Sequence, residues 1–154
     1  MQATHDVLNQ ATTLVDYNLL AGNQPLLAAL KFNAPNLDIA ELFQLGQTLG
    51  TAEMQTHARL ANAHPPQLHS HDRFGHRVDQ VEFHLSYHAL METAVGAGLH
   101  GTPWAEAVAH VDTHVKRAAG FMLFTELEPS ILCPISMTYA VTPALRASCI
   151  ARGK

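Results

Sequence analysis

The sequence predicts an all-α fold, a small bundle of helices, and three observations carry that expectation. From Pro103 to about Glu126 the residues Trp104, Val108, Val111, Val115, Ala119 and Met122 recur at steps of four and three, which is the spacing of one helix face. Leu42, Leu45, Leu49, Ala52 and Leu60 give a second such row. Between the periodic stretches stand Gly, Pro and Asn clusters at 33–36, 64–66 and 96–98, residues that interrupt helices for reasons of backbone geometry.

Taken in order, residues 1–22 lack a helical period and carry Asn9, Asp16, Asn18 and Gly22. They read as an extended arm anchored by Leu14, Val15, Tyr17, Leu19 and Leu20, because a segment this apolar is unfavourable in water. Gln24 to Phe32 reads as a short helix opened by Pro25. A longer helix is expected from Leu37 or Asp38 to about Asn62, with Gly46 and Gly50 on its inner side. Glycine costs a helix roughly 1 kcal/mol against alanine, so the pair predicts close approach of another segment. Residues 64–80 have no period and read as a loop or hairpin. Asp79-Gln-Val-Glu82 has the form of a capping box for a helix from Leu85 to Val95, which Gly96-Ala-Gly98 ends.

The stretch from Pro103 follows, with Thr102 as its cap and Pro129 as its stop. At 1.5 Å per residue this helix would be roughly 35 Å long, and it is expected to be the central one. Residues 133–143 stay open between strand and helix: β-branched residues favour the first, tertiary context the second.

One domain is the natural reading of 154 residues, long enough to bury a core. The charged fraction is only 14% against 47% apolar, which suggests that more surface than usual is covered by a partner or a further domain. With a net charge of −4 and no Lys or Arg run, nucleic acid is not an expected partner. No apolar run approaches the length of a membrane span. The start lacks a basic region and an apolar core, and the two cysteines form no framework, so a cytoplasmic setting is expected.

Eleven histidines are the unusual count. His84/His88 and His110/His114 have the i, i+4 spacing that can place two imidazoles on one zinc ion, which keeps a histidine-rich metal module open as an alternative. No Cys or carboxylate completes either pair, and neither has the His-Glu-x-x-His form; no metal site is assigned. Ser136 has no Gly-x-Ser-x-Gly surround, so no catalytic residue is assigned either. Met122, Met137, Phe121 and Phe124 are expected in the core. Arg73 and Arg77 with Asp72 and Asp79 read as a surface ion-pair loop.

A run of segments then adds what spacing does not. Thr4-His-Asp-Val-Leu-Asn-Gln10 with Tyr17-Asn-Leu19, Leu49-Gly-Thr-Ala-Glu53, Arg59-Leu-Ala-Asn62, His64-Pro-Pro66, Asp72-Arg-Phe-Gly-His-Arg77, Asp79-Gln-Val-Glu-Phe-His84, Gly98-Leu-His100, Arg117-Ala-Ala119 and Cys133-Pro-Ile-Ser-Met-Thr-Tyr-Ala140 with Pro143 resemble, in order, the opening of the AidB-type acyl-CoA dehydrogenases, the adaptive-response flavoproteins. The resemblance implies the N-terminal helical domain of an acyl-CoA dehydrogenase-like, isovaleryl-CoA dehydrogenase-like FAD oxidoreductase acting on CH–CH bonds of acyl-CoA. It implies a helical domain over 23–146, the arm before it, and a divergent tail over 147–154 that reads as the truncation of a longer chain.

In such a protein a β-domain and a C-terminal helical domain hold the FAD and the catalytic carboxylate. This chain alone is therefore expected to be inactive and to hold no tightly bound cofactor. Its expected partners are those two domains or a separate flavin-domain chain, and copies of itself in a homo-oligomer. Cys133, Met137 and Thr138 are the expected wall of the substrate pocket. One departure is Glu128-Pro-Ser-Ile-Leu132, where the family has a Glu-x-Gly turn. The alternative is a helical interaction or oligomerisation module without catalysis.

Overall fold

The computed structural model describes residues 4–106 and 112–151. Among them are α1 (Leu19–Gly22), α2 (Gln24–Asn33), α3 (Ala40–Leu49), α4 (Ala52–Ala63), β1 (Gln67–His71), β2 (Arg77–Glu82), α5 (Leu85–Gly96), α6 (Thr102–Glu106), α7 (Thr113–Leu127) and α8 (Leu132–Ala151). The all-α expectation holds, with one antiparallel hairpin between α4 and α5.

α7 is the central helix: α1, α2, α3, α4, α6 and α8 all touch it. Its buried side chains are Thr113, Ala119, Leu123, Phe124 and Leu127, with Gly120 among them. Leu19, Leu20, Leu42, Leu49, Leu90, Leu99, Ile131 and Ile135 close the core around it. Each such burial contributes about 1.5–3 kcal/mol.

The expected single helix over 103–126 is two helices in its described parts, because Asp112 stands as the N-cap of α7. Val108, Val111 and His110 lie outside the described residues. Ala119 is buried and Val115 packs against the core as expected, but Met122 is 56% exposed and Leu123 takes its place. Phe124 is core as expected, Phe121 is packed against the core from its edge, and Met137 is exposed.

The N-terminal segment is an arm only in part. Leu14 is exposed, but residues 19–22 form a helical turn whose Leu19 and Leu20 are among the most deeply buried side chains. Asn18 caps that turn through Ala21 N–H and donates its amide to the Phe43 carbonyl at 2.9 Å. The expected helix over 37–62 is two helices. Thr51 accepts from Met54 N–H and starts α4 afresh, a local bond that competes with helix continuation. Gly46 and Gly50 do mark a close approach, and the approaching segment is the N-terminal one. A Cβ on Gly46 would lie 2.7 Å from Asn18 Oδ1, and one on Gly50 would lie 1.7 Å from the Tyr17 carbonyl. Asp16 fastens the same joint, donating its N–H to Gly50 O at 2.7 Å and accepting from Ala52 N–H at 3.0 Å.

Asp79 does not cap α5. It lies in β2 with φ 46°, where three steps along β2 oppose two along β1, a bulge. His84 is the cap: its Nδ1 accepts from Ser86 N–H at 3.1 Å. Residues 133–143 are helical, inside α8. Pro143 has no N–H for the Tyr139 carbonyl one turn back, and the Trp104 indole N–H occupies that carbonyl instead, at 2.7 Å. The defect in one helix is thus the docking point of another.

Candidate functional site

Three features are candidates: a polar–aromatic cluster, a groove beside it, and the outer face of α8. The cluster joins α6, α7 and α8. Arg117 lies between the Phe121 and Tyr139 rings, at 4.6 and 4.1 Å from their centroids. Its Nε donates to the Leu99 carbonyl at 3.0 Å. His114 Nδ1 meets the Tyr139 hydroxyl at 2.6 Å, and the Trp104 ring stands edge-on to His114. Arg146 donates to the Trp104 carbonyl. Burial holds the Arg117 guanidinium below its ordinary value, against the opposing pull of Tyr139; a guanidinium so placed stays charged at neutral pH. Arg117 Nη2 and His100 Nδ1 are buried without partners. The cluster fastens α6, α7 and α8 to one another.

The groove, of about 810 Å³, runs between the α2–α3 turn, α3, the α5–α6 turn and α7. Its charged lining is Asp38, Glu41, Asp112, Lys116 and Arg117. Lys116 is paired with Glu41 at 2.6 Å, and Arg117 gives its Nε to the Leu99 carbonyl while its Nη2 has no partner.

The expected pocket residues Cys133, Met137 and Thr138 are all exposed on α8, and they line neither this groove nor the shallower one between α3, α4 and α5. Cys133, Met137, Val141 and Leu145 follow one another at steps of four and are all exposed, Met137 by 69%. That row is an apolar stripe on a helix whose inner side, through Leu132 and Ile135, joins the core. Ser136 is half-buried beside it.

Of the two histidine pairs, His84, His88 and His114 are described, and each has neighbours of its own. His84 is occupied as a cap and stacks on His64 at 4.7 Å. His88 packs against the Phe83 and Tyr87 rings, and His114 bonds Tyr139. Among the described residues no three His, Cys, Asp or Glu side chains come together to hold a metal ion. Among them, too, no helix is long and apolar enough to cross a membrane.

The hairpin is amphipathic in its own right. Leu68 stands opposite Val81, while Gln67 faces Glu82 and His69 faces Gln80. Both strands are exposed along their length, so the Leu68, Val78 and Val81 side remains open to solvent. Sequence reading missed this face because the bulge at Asp79 breaks the period-two alternation. It missed the Arg117 cluster because Trp104 and Tyr139 are far in the chain from His114, Arg117 and Phe121; the one local signal was Pro143.

Comparison with known proteins places these features. The family model for the adaptive response protein AidB N-terminal domain matches residues 9–152. The putative acyl-CoA dehydrogenase AidB of Escherichia coli (strain K12) is 41% identical over 142 residues, covering 92% of this chain and 26% of that protein. The chain therefore spans about a quarter of the length of the curated relative it matches. Among solved structures, Caenorhabditis elegans ACDH-11 in complex with C11-CoA aligns with a TM-score of 0.62 at 19% identity, over 86% of this chain and 23% of that one. The Bd2924 apo-form aligns with a TM-score of 0.62 at 22% identity, over 73% and 23%. These two likenesses concern the fold.

Proposed function

The chain belongs to the family of adaptive response protein AidB N-terminal domains, and on that premise we propose that it serves as one wall of an acyl-CoA dehydrogenase-like flavoprotein whose chemistry resides in further polypeptide. The reaction class is oxidation of a CH–CH bond in an acyl-CoA, for which FAD is the electron acceptor. In the groove a diphosphate would face Asp38, Glu41 and Asp112, with Lys116 paired to Glu41 and Arg117 Nε held by the Leu99 carbonyl, a lining that does not suit that cofactor.

The observation that carries the reading is the apolar row Cys133, Met137, Val141, Leu145 on the outside of α8. Side chains of this kind gain about 1.5–3 kcal/mol each when covered, and the matched relative has three further quarters of sequence to cover them. Cys133, Met137 and Thr138 then border the substrate pocket from this side. The partners are a β-domain and a C-terminal helical domain, in the same chain or a separate one.

The test is a chimaera in which this chain replaces the matched segment of the Escherichia coli relative. We expect it to bind flavin and to oxidise isovaleryl-CoA, and Met137→Asp with Val141→Asp to abolish both. The chain alone is expected to be colourless. Stoichiometric flavin on the isolated chain, or a chimaera indifferent to the two aspartates, would overturn the proposal.

The open face of the hairpin favours a second role, in assembly of the oligomer. Light scattering on the isolated chain tests it: Leu68→Asp with Val81→Asp should lower the assembled mass, and an unchanged mass removes the role.

A further inference from the structure

The hairpin is rooted between two histidines. His64, the C-cap of α4, precedes Pro65 and Pro66 and then β1; His84, the N-cap of α5, follows β2 after Phe83. Their rings stack at 4.7 Å and 16°, closing the base of the ribbon just beyond the Gln67–Glu82 pair. The cap dictates the tautomer. Because His84 Nδ1 accepts the Ser86 N–H, the ring there must be neutral with its proton on Nε2. A second proton, taken from solvent onto Nδ1, uses the lone pair that makes the cap. It also creates a positive ring stacked on a second imidazole.

The surrounding groups do not offset this. On α4, His57 Nδ1 meets the Ser86 hydroxyl at 3.1 Å, and Glu53 lies 3.9 Å from the other nitrogen of His57. At the end of α7, Glu128 is committed to Asn62 of α4 and to Ser130 N–H. On α5, His88 is turned to Phe83 and Tyr87. In the ribbon, Glu82 is committed to His69 at 2.9 Å.

Within the ribbon the sign reverses. The His69 Nε2 lies 2.9 Å from the Glu82 carboxylate, diagonally across the strands, and His76 Nδ1 lies 3.1 Å from Asp72 Oδ2, so each becomes an ion pair when its ring is protonated. Mild acid therefore tightens the two strands on each other and undoes the clamp that fixes them to the bundle.

We propose that the stacked His64–His84 pair is a pH-sensitive hinge: in mild acid the β1–β2 ribbon turns about its base as a paired unit, carrying its open Leu68, Val78 and Val81 face with it.

Amide hydrogen exchange on the whole chain, read residue by residue by NMR, tests this. Between about pH 7.5 and about pH 5.5, a range that spans ordinary imidazole titration, we expect the protection factor of the Ser86 amide to fall roughly tenfold. The amides of Leu90 and Ala94, and the paired amides of β1 and β2, should keep theirs. His84→Asn preserves a side-chain acceptor that does not titrate and should erase the fall. His64→Gln keeps the cap, removes the second ring and should diminish the fall. An equal fall in His84→Asn and the wild type would overturn the proposal. So would Ser86 protection that is the same at both pH values, or strand amides that open together with Ser86. If His84→Asn does not fold, a His64→Gln response equal to that of the wild type overturns it.

Discussion

Replacing Trp104 by Phe removes one hydrogen bond and leaves an aromatic ring in place, and its cost should depend on a residue 39 positions away. The Trp104 indole N–H lies 2.7 Å from the Tyr139 carbonyl, the group that Pro143 leaves without its helical donor. A hydrogen bond of this kind is worth about 0.5–1.5 kcal/mol, and a carbonyl left without a partner in a part-buried place adds to the loss. Trp104→Phe should therefore cost about 1–2 kcal/mol beyond its change in buried area. In a Pro143→Ala background the residue at 143 supplies the missing N–H, and Tyr139 no longer needs the indole. The change in area is common to both backgrounds and cancels in the cycle. The predicted coupling is about 1 kcal/mol, a difference of roughly 2–4 °C in melting midpoint for a chain of this size. Urea titration of the four proteins, followed by circular dichroism with equal slopes, measures it. Additivity to within about 0.3 kcal/mol would refute the account of how α6 is fastened to α8.

Gly50→Ala should destabilise by about 1–3 kcal/mol, as overpacking does, because the new Cβ would stand 1.7 Å from the Tyr17 carbonyl; a gain by the same urea assay would show that the N-terminal segment is not seated there. Gly96→Ala, with open space around it, should instead stabilise by about 0.5–1 kcal/mol. The Asp72 carboxyl is held below its ordinary value of 3.8, first by the His76 backbone N–H and then by Phe74 N–H. Its contribution to stability is thus complete above that ordinary value and lost as pH falls through the lower folded value. Asp72→Asn should flatten that part of the acid limb in a pH series of melts, and an unchanged limb would count against the turn geometry. Leu68→Asp and Val81→Asp should each leave stability within about 0.5 kcal/mol of wild type, because no helix covers that face; a larger loss would mean that the ribbon lies against its own bundle.

Much of the fold was legible in the chain because local chemistry and packing agree there. Pro25 opens α2, Gly98 with φ 71° closes the turn after α5, and the leucines of α3 keep helical spacing. Where the reading went astray, a side chain far off in sequence decided. Thr51 looks like a mid-helix residue until Asp16 and Tyr17 are seen against it. Met122 fits the apolar period of residues 103–126, but from the buried Ala119 the inner face of α7 continues by a step of four to Leu123 rather than a step of three. Asp79 has the spacing of a cap, yet the bulge keeps it in the strand and His84 caps instead. The expected pocket wall rested on a family resemblance and hardly at all on geometry. Cys133, Met137 and Thr138 share an exposed surface rather than a cavity, and a surface becomes a site only through what covers it. The Arg117 cluster could not be read from spacing, since His114 and Tyr139 meet only after α7 and α8 have packed.

The central claim is that the outer side of α8 is an internal surface of a larger protein. Maleimide labelling of Cys133, located by peptide mass spectrometry, tests it most directly. In the isolated chain this exposed thiol should label fast; in the chimaera with the Escherichia coli relative it should label at least tenfold more slowly, at a rate independent of protein concentration. Equal labelling in the two proteins would contradict the account.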